Sequence, residues 1–460
     1  MQTKTATVKE KVTPSVSFTS GSIVKSMLTF AGPYMLGVIV QNLYGSVDLF
    51  VVGHFATTAD VSAVTVGSQL MTMITQLIIG LATGVTVLIG QYFGAQDKKA
   101  LSKTAGTSLI IFSIFAVILT AIFLIFHQNM VTAMQTPAEA IHTTRQYLFT
   151  CSLGIVFIVG YNVLSSILMG KGDTKTPFIF IVIACIINIV LDVILVKYVH
   201  LGALGAAIAT TAAQAGSVIF SVIYLKKKGL GFPFSLKDIK FDGSTALKVA
   251  KIGGPVGVQN ALVSVSFLFI TAIINQIGLV ASASAGVVEK LITFLMIPAI
   301  SFGASVAAVS AQNVGAREYE RSRKSMWCGV ILSLIPSIIV VLFCQFKGEL
   351  LTGLFTTNAD VVYMAETYLR SYIWDCILVS FVFSMNGYFN SLNKSWFTMV
   401  HSLVTTFTLR IPLSLLFSRM GSDTLYIIGW AAPISTVVST LMCFAFYIYL
   451  RRKDKVLMQN

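Results

Sequence analysis

Ala31-Gly-Pro-Tyr-Met-Leu-Gly-Val-Ile-Val-Gln-Asn-Leu-Tyr-Gly-Ser-Val-Asp48 is an apolar stretch with a proline near its start and a carboxylate at its end. Its surrounding run is long enough to cross a bilayer, which takes about 20 residues of helix. Hydrocarbon has no water to solvate a carboxylate, and an aspartate at the centre of an inserted helix costs about 2.5–3.5 kcal/mol. An acid kept there is a functional-site candidate by default. Pro33 has no N–H to donate and loosens the preceding turn, leaving a bendable hinge on one side of Asp48. A proton or cation arriving at Asp48 is therefore expected to reshape this helix.

The same character runs through the chain. Of 460 residues, 55% are hydrophobic and 11% charged, where a soluble globular chain is about 25% charged. Long apolar runs, rather than short alternating segments, point to an all-α polytopic membrane protein and exclude an outer-membrane barrel. The net charge of +14 sits in loops and tails, so it orients the chain rather than implying nucleic acid. Met1–Thr19 is polar, which argues against a cleavable signal peptide. The cysteines fall inside apolar spans, where small-residue packing is the expected role.

Twelve spans are expected. They run over Met27–Gly53, Val61–Tyr92, Leu101–His127, Tyr147–Met169, Pro177–Val196 and Leu204–Leu225 in the first half. The second half gives Val249–Ile277, Ala281–Ala311, Met326–Phe346, Tyr368–Leu392, Trp396–Phe417 and Leu425–Leu450. Lys98, Lys99, Lys103, Lys171, Lys226–Lys228, Arg321, Arg323 and Arg451–Lys453 all fall on one side. That bias puts both termini in the cytoplasm of a cell-membrane protein. The expected organisation is a tail (1–21), a six-helix lobe (22–226), a basic linker (227–246), a second six-helix lobe (247–451) and a tail (452–460). An interfacial helix is expected in the linker around Phe234–Phe241.

The halves repeat at an offset of about 222 residues: Ala31-Gly-Pro33 with Gly253-Gly-Pro255, and Ile89-Gly-Gln-Tyr-Phe-Gly-Ala95 with Ser310-Ala-Gln-Asn-Val-Gly-Ala316. Each half has an even number of spans, so both enter from one side and are related by an axis along the membrane normal. Substrate is then expected between them.

Among 18 acidic residues, Asp48, Asp192, Glu289 and Asp375 sit well inside spans, all in the outer half or near the middle of the membrane. Tyr44 and Asp48 share a helix face, as do Asn188 and Asp192. Asn162 and Thr210 are further polar candidates, and Gln41, Asn42, Gln259 and Asn260 are candidates for a substrate cavity. Such a cluster can hold a protonated carboxyl, or a carboxylate around a cation, with Na+ at Asp48 and Asp192 the metal alternative to H+. Arg410 is a candidate partner of Asp375 or Glu289, either in a second ion or substrate site or as a structural ion pair.

These features together resemble the multidrug and toxic compound extrusion (MATE) family over about Ser22 to Arg452. The resemblance is carried by Pro33, Tyr44 and Asp48; Gln91-Tyr-Phe-Gly-Ala95; Gly170-Lys-Gly-Asp173; Asn188-Ile-Val-Leu-Asp192; Gly205-Ala-Ala-Ile-Ala-Thr210; Gln312-Asn-Val-Gly-Ala316; and Asn386-Gly-Tyr-Phe-Asn390. It implies two pseudo-symmetric six-helix bundles forming a V-shaped cavity. It also implies efflux of amphipathic, usually cationic compounds in exchange for H+ or Na+. Asp48, Asn162, Asn188, Asp192 and Thr210 match the first-lobe network of the DinF-like branch, and Asp375 the second-lobe acid of the NorM-like branch. Val263 stands where that branch often has glutamate, and Glu289 replaces a usually uncharged position.

The expected partners are small amphipathic cations and membrane lipid, with no nucleic acid, no cofactor beyond the coupling ion, and a monomer as the working state. The alternative is a flippase for a lipid-linked precursor, which usually needs a cationic cavity; here the intramembrane charges are mainly acidic. No nucleophile–base, metal or nucleotide motif suggests an enzyme.

Overall fold

The structure, a computed structural model, describes residues 17–420 and 424–459. Most of the expected N-terminal tail, 1–16, lies outside the described residues, as do 421–423 and 460. The first half folds into α1 (Ile23–Phe55), α2 (Thr58–Gly94), α3 (Lys98–Ala133), α4 (Ile141–Gly170), α5 (Lys175–Asp192) and α6 (Gly202–Lys228). The second half holds α7 (Gly243–Asn275), α8 (Leu279–Leu295), α9 (Ile297–Gly315), α10 (Tyr319–Thr352), α11 (Ala359–Tyr372) and α12 (Asp375–Ser391). It ends with α13 (Ser395–Thr405), α14 (Ile411–Phe417), α15 (Thr424–Gly429) and α16 (Ala431–Gln459).

Among the described residues, 11 helical runs are long and apolar enough to cross a membrane. α11 and α12 make the twelfth crossing, but a break at Ile373–Trp374 divides it. Ends are set by local chemistry. Ser22, Asp97 and Asp242 accept backbone N–H groups at the starts of α1, α3 and α7, satisfying donors that helix geometry leaves free. Thr57 and Asp60 form a capping box at α2. The linker corrects one expectation: it holds only a single 3-10 turn, Leu236–Asp238, rather than an interfacial helix. The backbone of this stretch turns to α3 instead, with the Pro233 and Lys240 carbonyls accepting from Ser102 and Thr107.

The two bundles meet where their glycines permit it. A methyl group at Gly80 would lie 2.5 Å from the Gly257 Cα, and one at Gly84 would lie 2.5 Å from the Val249 carbonyl oxygen. α2 and α7 therefore cross backbone to backbone, as small residues allow in membrane helices. The pseudo-symmetric contact uses a hydroxyl instead: Ser305 Oγ donates to the Met27 carbonyl at 3.2 Å. At the basic end the repeated motifs clasp each other. A methyl at Gly94 would lie 1.8 Å from the Gln312 carbonyl oxygen, and one at Gly315 1.8 Å from that of Gln91. The side chains reciprocate too. Gln312 Nε2 donates to the Gly170 carbonyl at 3.0 Å, and Gln91 Nε2 donates to the Ser391 carbonyl at 2.8 Å.

The segments leading into α1 and α7 are exchanged between bundles. Ser17–Ser20 docks on the second bundle, where Phe18 is fully buried. The Phe18 N–H donates to Gln312 Oε1 at 3.0 Å, and Arg321 Nε donates to the Phe18 carbonyl at 3.1 Å. The segment before α7 docks on α3 of the first bundle. Thr107 Oγ1 donates to the Lys240 carbonyl at 3.1 Å, and Lys103 pairs with Asp242 at 2.9 Å. That ammonium, with Thr245, holds the Asp242 carboxyl down at about 2. Among the described residues, the hydrogen bonds that cross between the bundles lie at the basic end or mid-depth, Asn260 to the Gln76 carbonyl being the deepest. Among the described residues, then, hydrogen bonds join the bundles at one end and not at the other.

Candidate functional site

Three helices bring the first polar knot together in the far half of the first bundle. α1 supplies Tyr44 and Asp48, α5 supplies Asn188 and Asp192, and α6 supplies Thr210. Asp48 is 5% exposed, while Asn188 and Asp192 are fully buried. Thr210 Oγ1 donates to Asp48 Oδ2 at 2.9 Å, and Asn188 Nδ2 donates to Thr210 Oγ1 at 3.4 Å. Both carboxyl groups are buried in this knot, Asp48 held by Thr210 and Asp192 by no hydrogen bond.

The knot has more acceptors than donors. Asp48 Oδ1, Asn188 Oδ1 and both oxygens of Asp192 are buried and find no donor. A buried acceptor left unmatched is costly, and two carboxylates side by side in an apolar medium repel strongly. A proton or a small cation relieves both problems at once. Asp192 closes α5 and is followed by a π-helical turn, Val193–Tyr198. Such turns widen the helix and are frequent at functional sites.

The other first-bundle candidates divide. Tyr44 joins the rim of the knot, its hydroxyl accepting from Gln214 Nε2 at 3.2 Å. Gln214 was not anticipated, although it lies one turn beyond Thr210 on the same face of α6. Asn162 is not drawn into a hydrogen bond with the knot: its amide donates to the Ile158 carbonyl of its own helix at 2.8 Å. Asn42 likewise donates to Val38 at 2.9 Å. Gln41 and Gln259 are half-buried. Asn260 donates across the bundle interface to the Gln76 carbonyl at 3.3 Å. Pro33 lies inside an unbroken α1.

α1 belongs to both bundles. Met27 and Phe30 of its basic-end half, with Phe18 of the segment before it, share a core with Val309, Met326 and Phe389 of the second bundle. Its far half, with Val51 and Val52, packs with Val64, Val196 and Ala203 of the first. Pro33 stands between the two attachments.

The second bundle carries its own charged cluster. Asp375, 2% exposed, starts α12 just beyond the break, with Oδ1 unpartnered. Thr271 Oγ1 donates to Glu289 Oε1 at 2.8 Å. Arg410 ends a π-helical turn, Thr406–Arg410. Its guanidinium bonds the Tyr372 hydroxyl and stacks 4.6 Å from the Phe267 ring centre and 5.7 Å from that of Tyr372. Among the described residues, Arg410 makes no ion pair within 4.0 Å with Asp375 or Glu289. The aromatic partners went unseen in the sequence because apolar spans are full of aromatics. Thr271 is one turn from Phe267, a spacing that marks a shared face only once the ligand is known.

Comparison with known proteins gives a consistent picture. The MatE family model matches residues 33–194 and 255–416, once in each half. The chain is 26% identical over 445 residues to the probable multidrug resistance protein YoeA of Bacillus subtilis (strain 168), covering 95% of this chain and 96% of that one. It is 23% identical to the multidrug export protein MepA of Staphylococcus haemolyticus (strain JCSC1435), covering 95% and 96%. A solved structure described as an outward-facing conformation of a multidrug resistance MATE family transporter of the MOP superfamily superposes with a TM-score of 0.90 at 22% identity, covering 98% of this chain and 100% of that one.

Proposed function

This chain belongs to the MatE family, and on that premise we propose that it is a secondary active multidrug exporter. It exchanges amphipathic organic cations for a monovalent cation, H+ or Na+. The observation that carries the reading is the acceptor-rich knot of Asp48, Asn188 and Asp192, in which Asp48 Oδ1, Asn188 Oδ1 and both Asp192 oxygens are buried without donors. An ion gradient can act on such a site because occupancy changes its charge, and charge in hydrocarbon is costly.

Both termini lie in the cytoplasm, and residues 22–226 and 247–451 are the moving lobes, joined by the basic linker 227–246. The clasp at the basic end then closes the cytoplasmic side, and the far side opens outward. With Asp48 filled, α1 bends at Pro33, the outer cavity narrows, and drug leaves. The lobes then part at the clasp, release the ion and accept new cargo. A lipophilic cation suits this cavity because a dehydrated cation needs a counter-charge and tolerates aromatic walls. Two carboxyls in the first lobe favour cationic cargo over a pyrophosphate-linked lipid.

The test is efflux of ethidium from proteoliposomes under a Na+ gradient and a pH gradient imposed separately. One gradient should drive export against concentration and the other should not. Export indifferent to both gradients would overturn the reading.

A further inference from the structure

We infer that Arg410 is a built-in counter-cation, filling in the second lobe the place that the transported ion fills in the first. The inference rests on the ion-exchange reading above and specifies which lobe takes the ion.

The repeat offset of about 222 residues pairs Arg410 with Asn188. Both lie on the helix that carries a π-helical turn, Val193–Tyr198 in one lobe and Thr406–Arg410 in the other. In the first lobe the position is neutral and its neighbours are Asp48 and Asp192, with no basic side chain in the knot. In the second lobe the position is a guanidinium, held by Tyr372, three residues before Asp375, and by Phe267, one turn before the Thr271 that bonds Glu289. The first lobe must draw a cation from solution to offset its carboxyls. The second carries one on a tether.

The tether is rigid. The Tyr372 hydroxyl and the faces of Phe267 and Tyr372 fix the guanidinium. Arginine stays protonated at any working pH and stacks well on aromatic rings. Its Nε and the Asp375 Oδ1 are both buried and unpartnered, so charge is balanced through the site without a closed ion pair. A mobile cation entering here would meet a fixed positive charge, which opposes it strongly in a low dielectric. Only one ion then couples to each cycle, and it is held by Asp48 and Asp192.

The test counts bound cations on the purified full-length protein, by saturation binding of 22Na+ and, in parallel, by proton uptake after a pH drop in unbuffered solution. Wild type should take up one cation at this class of site, lost in Asp48→Asn. Arg410→Gln should take up two, the second surviving Asp48→Asn and lost in Arg410→Gln/Asp375→Asn. Arg410→Lys, which keeps the charge, should stay at one. Where Arg410→Gln does not fold, Asp375→Asn with Arg410 kept provides the second measurement, and its count should remain one. A count of one in folded Arg410→Gln, or a fall in Asp375→Asn, overturns the inference. A wild-type count unaffected by Asp48→Asn overturns the underlying ion-exchange reading instead.

Discussion

Single side chains decide where this molecule is held and where it is free to respond. Asp60 caps α2 through Thr57 and accepts the Ala203 N–H at 2.9 Å, tying the start of α6 to the far-end loop. Asp60→Ala removes a cap and a cross-helix bond, a loss of about 1–2 kcal/mol. A lowered melting temperature in detergent, with no change in the coupling ion, is the expected outcome; an unaltered melting temperature would contradict this account of the loop. Asp48 could be picked out from the sequence because a charge in an apolar run is conspicuous. Asn162 is a further polar candidate in the sequence, and its amide bonds its own helix at the Ile158 carbonyl. A polar side chain's partner depends on helix rotation, and hydropathy does not report rotation to within one residue. Gln214 escaped notice for the same reason.

Helices carry the coupling between sites. α1 and its leader are anchored to the second bundle by Phe18, Met27 and Phe30, and α1 to the first by Val51 and Val52, so in the proposed cycle a bend at Pro33 would move one lobe against the other. Phe18→Ala should weaken the closed arrangement at the basic end by about 3–5 kcal/mol, the usual cost of truncating a buried phenylalanine. Spin labels at exposed Lys99 and Lys324, one in each bundle, report this. Phe18→Ala and Gln312→Ala should each shift the distance distribution outward, whereas an unchanged distribution would mean the leader is not part of the closure. Gly94→Ala should act in the same direction, since a methyl 1.8 Å from the Gln312 carbonyl oxygen forces the clasp apart. The clasp motifs were visible as repeats, but their meeting was not, because sequence similarity shows equivalence and not contact. The exchanged leaders were illegible: Ser17–Ser20 is short and mostly polar, and nothing local marks Phe18 as buried.

For the whole molecule, the repeat, the loop charge bias and the apolar spans were enough to read two bundles of six crossings from the sequence. Interruptions at Ile373–Trp374 and at the two π-helical turns were not, since no glycine or proline lies within them to mark them in the sequence. The pH response is also a property of the whole. The Lys103–Asp242 pair holds the Asp242 carboxyl at about 2, below its unfolded value of about 3.9. A depressed carboxyl contributes stability above its unfolded pKa and loses it as pH falls through the folded one. The α7 leader thus keeps this pair throughout the neutral range. Asp242→Asn should leave the shape of the transport pH profile between about pH 5 and 8 unchanged; a shifted profile would assign the titration to the leader. Asp48 is the more direct test. Proteoliposomes carrying Asp48→Asn, loaded with ethidium and given whichever ion gradient drives the wild type, should bind the dye but fail to export it against its concentration. Export at the wild-type rate would contradict the claim that an ion at Asp48 moves the lobes.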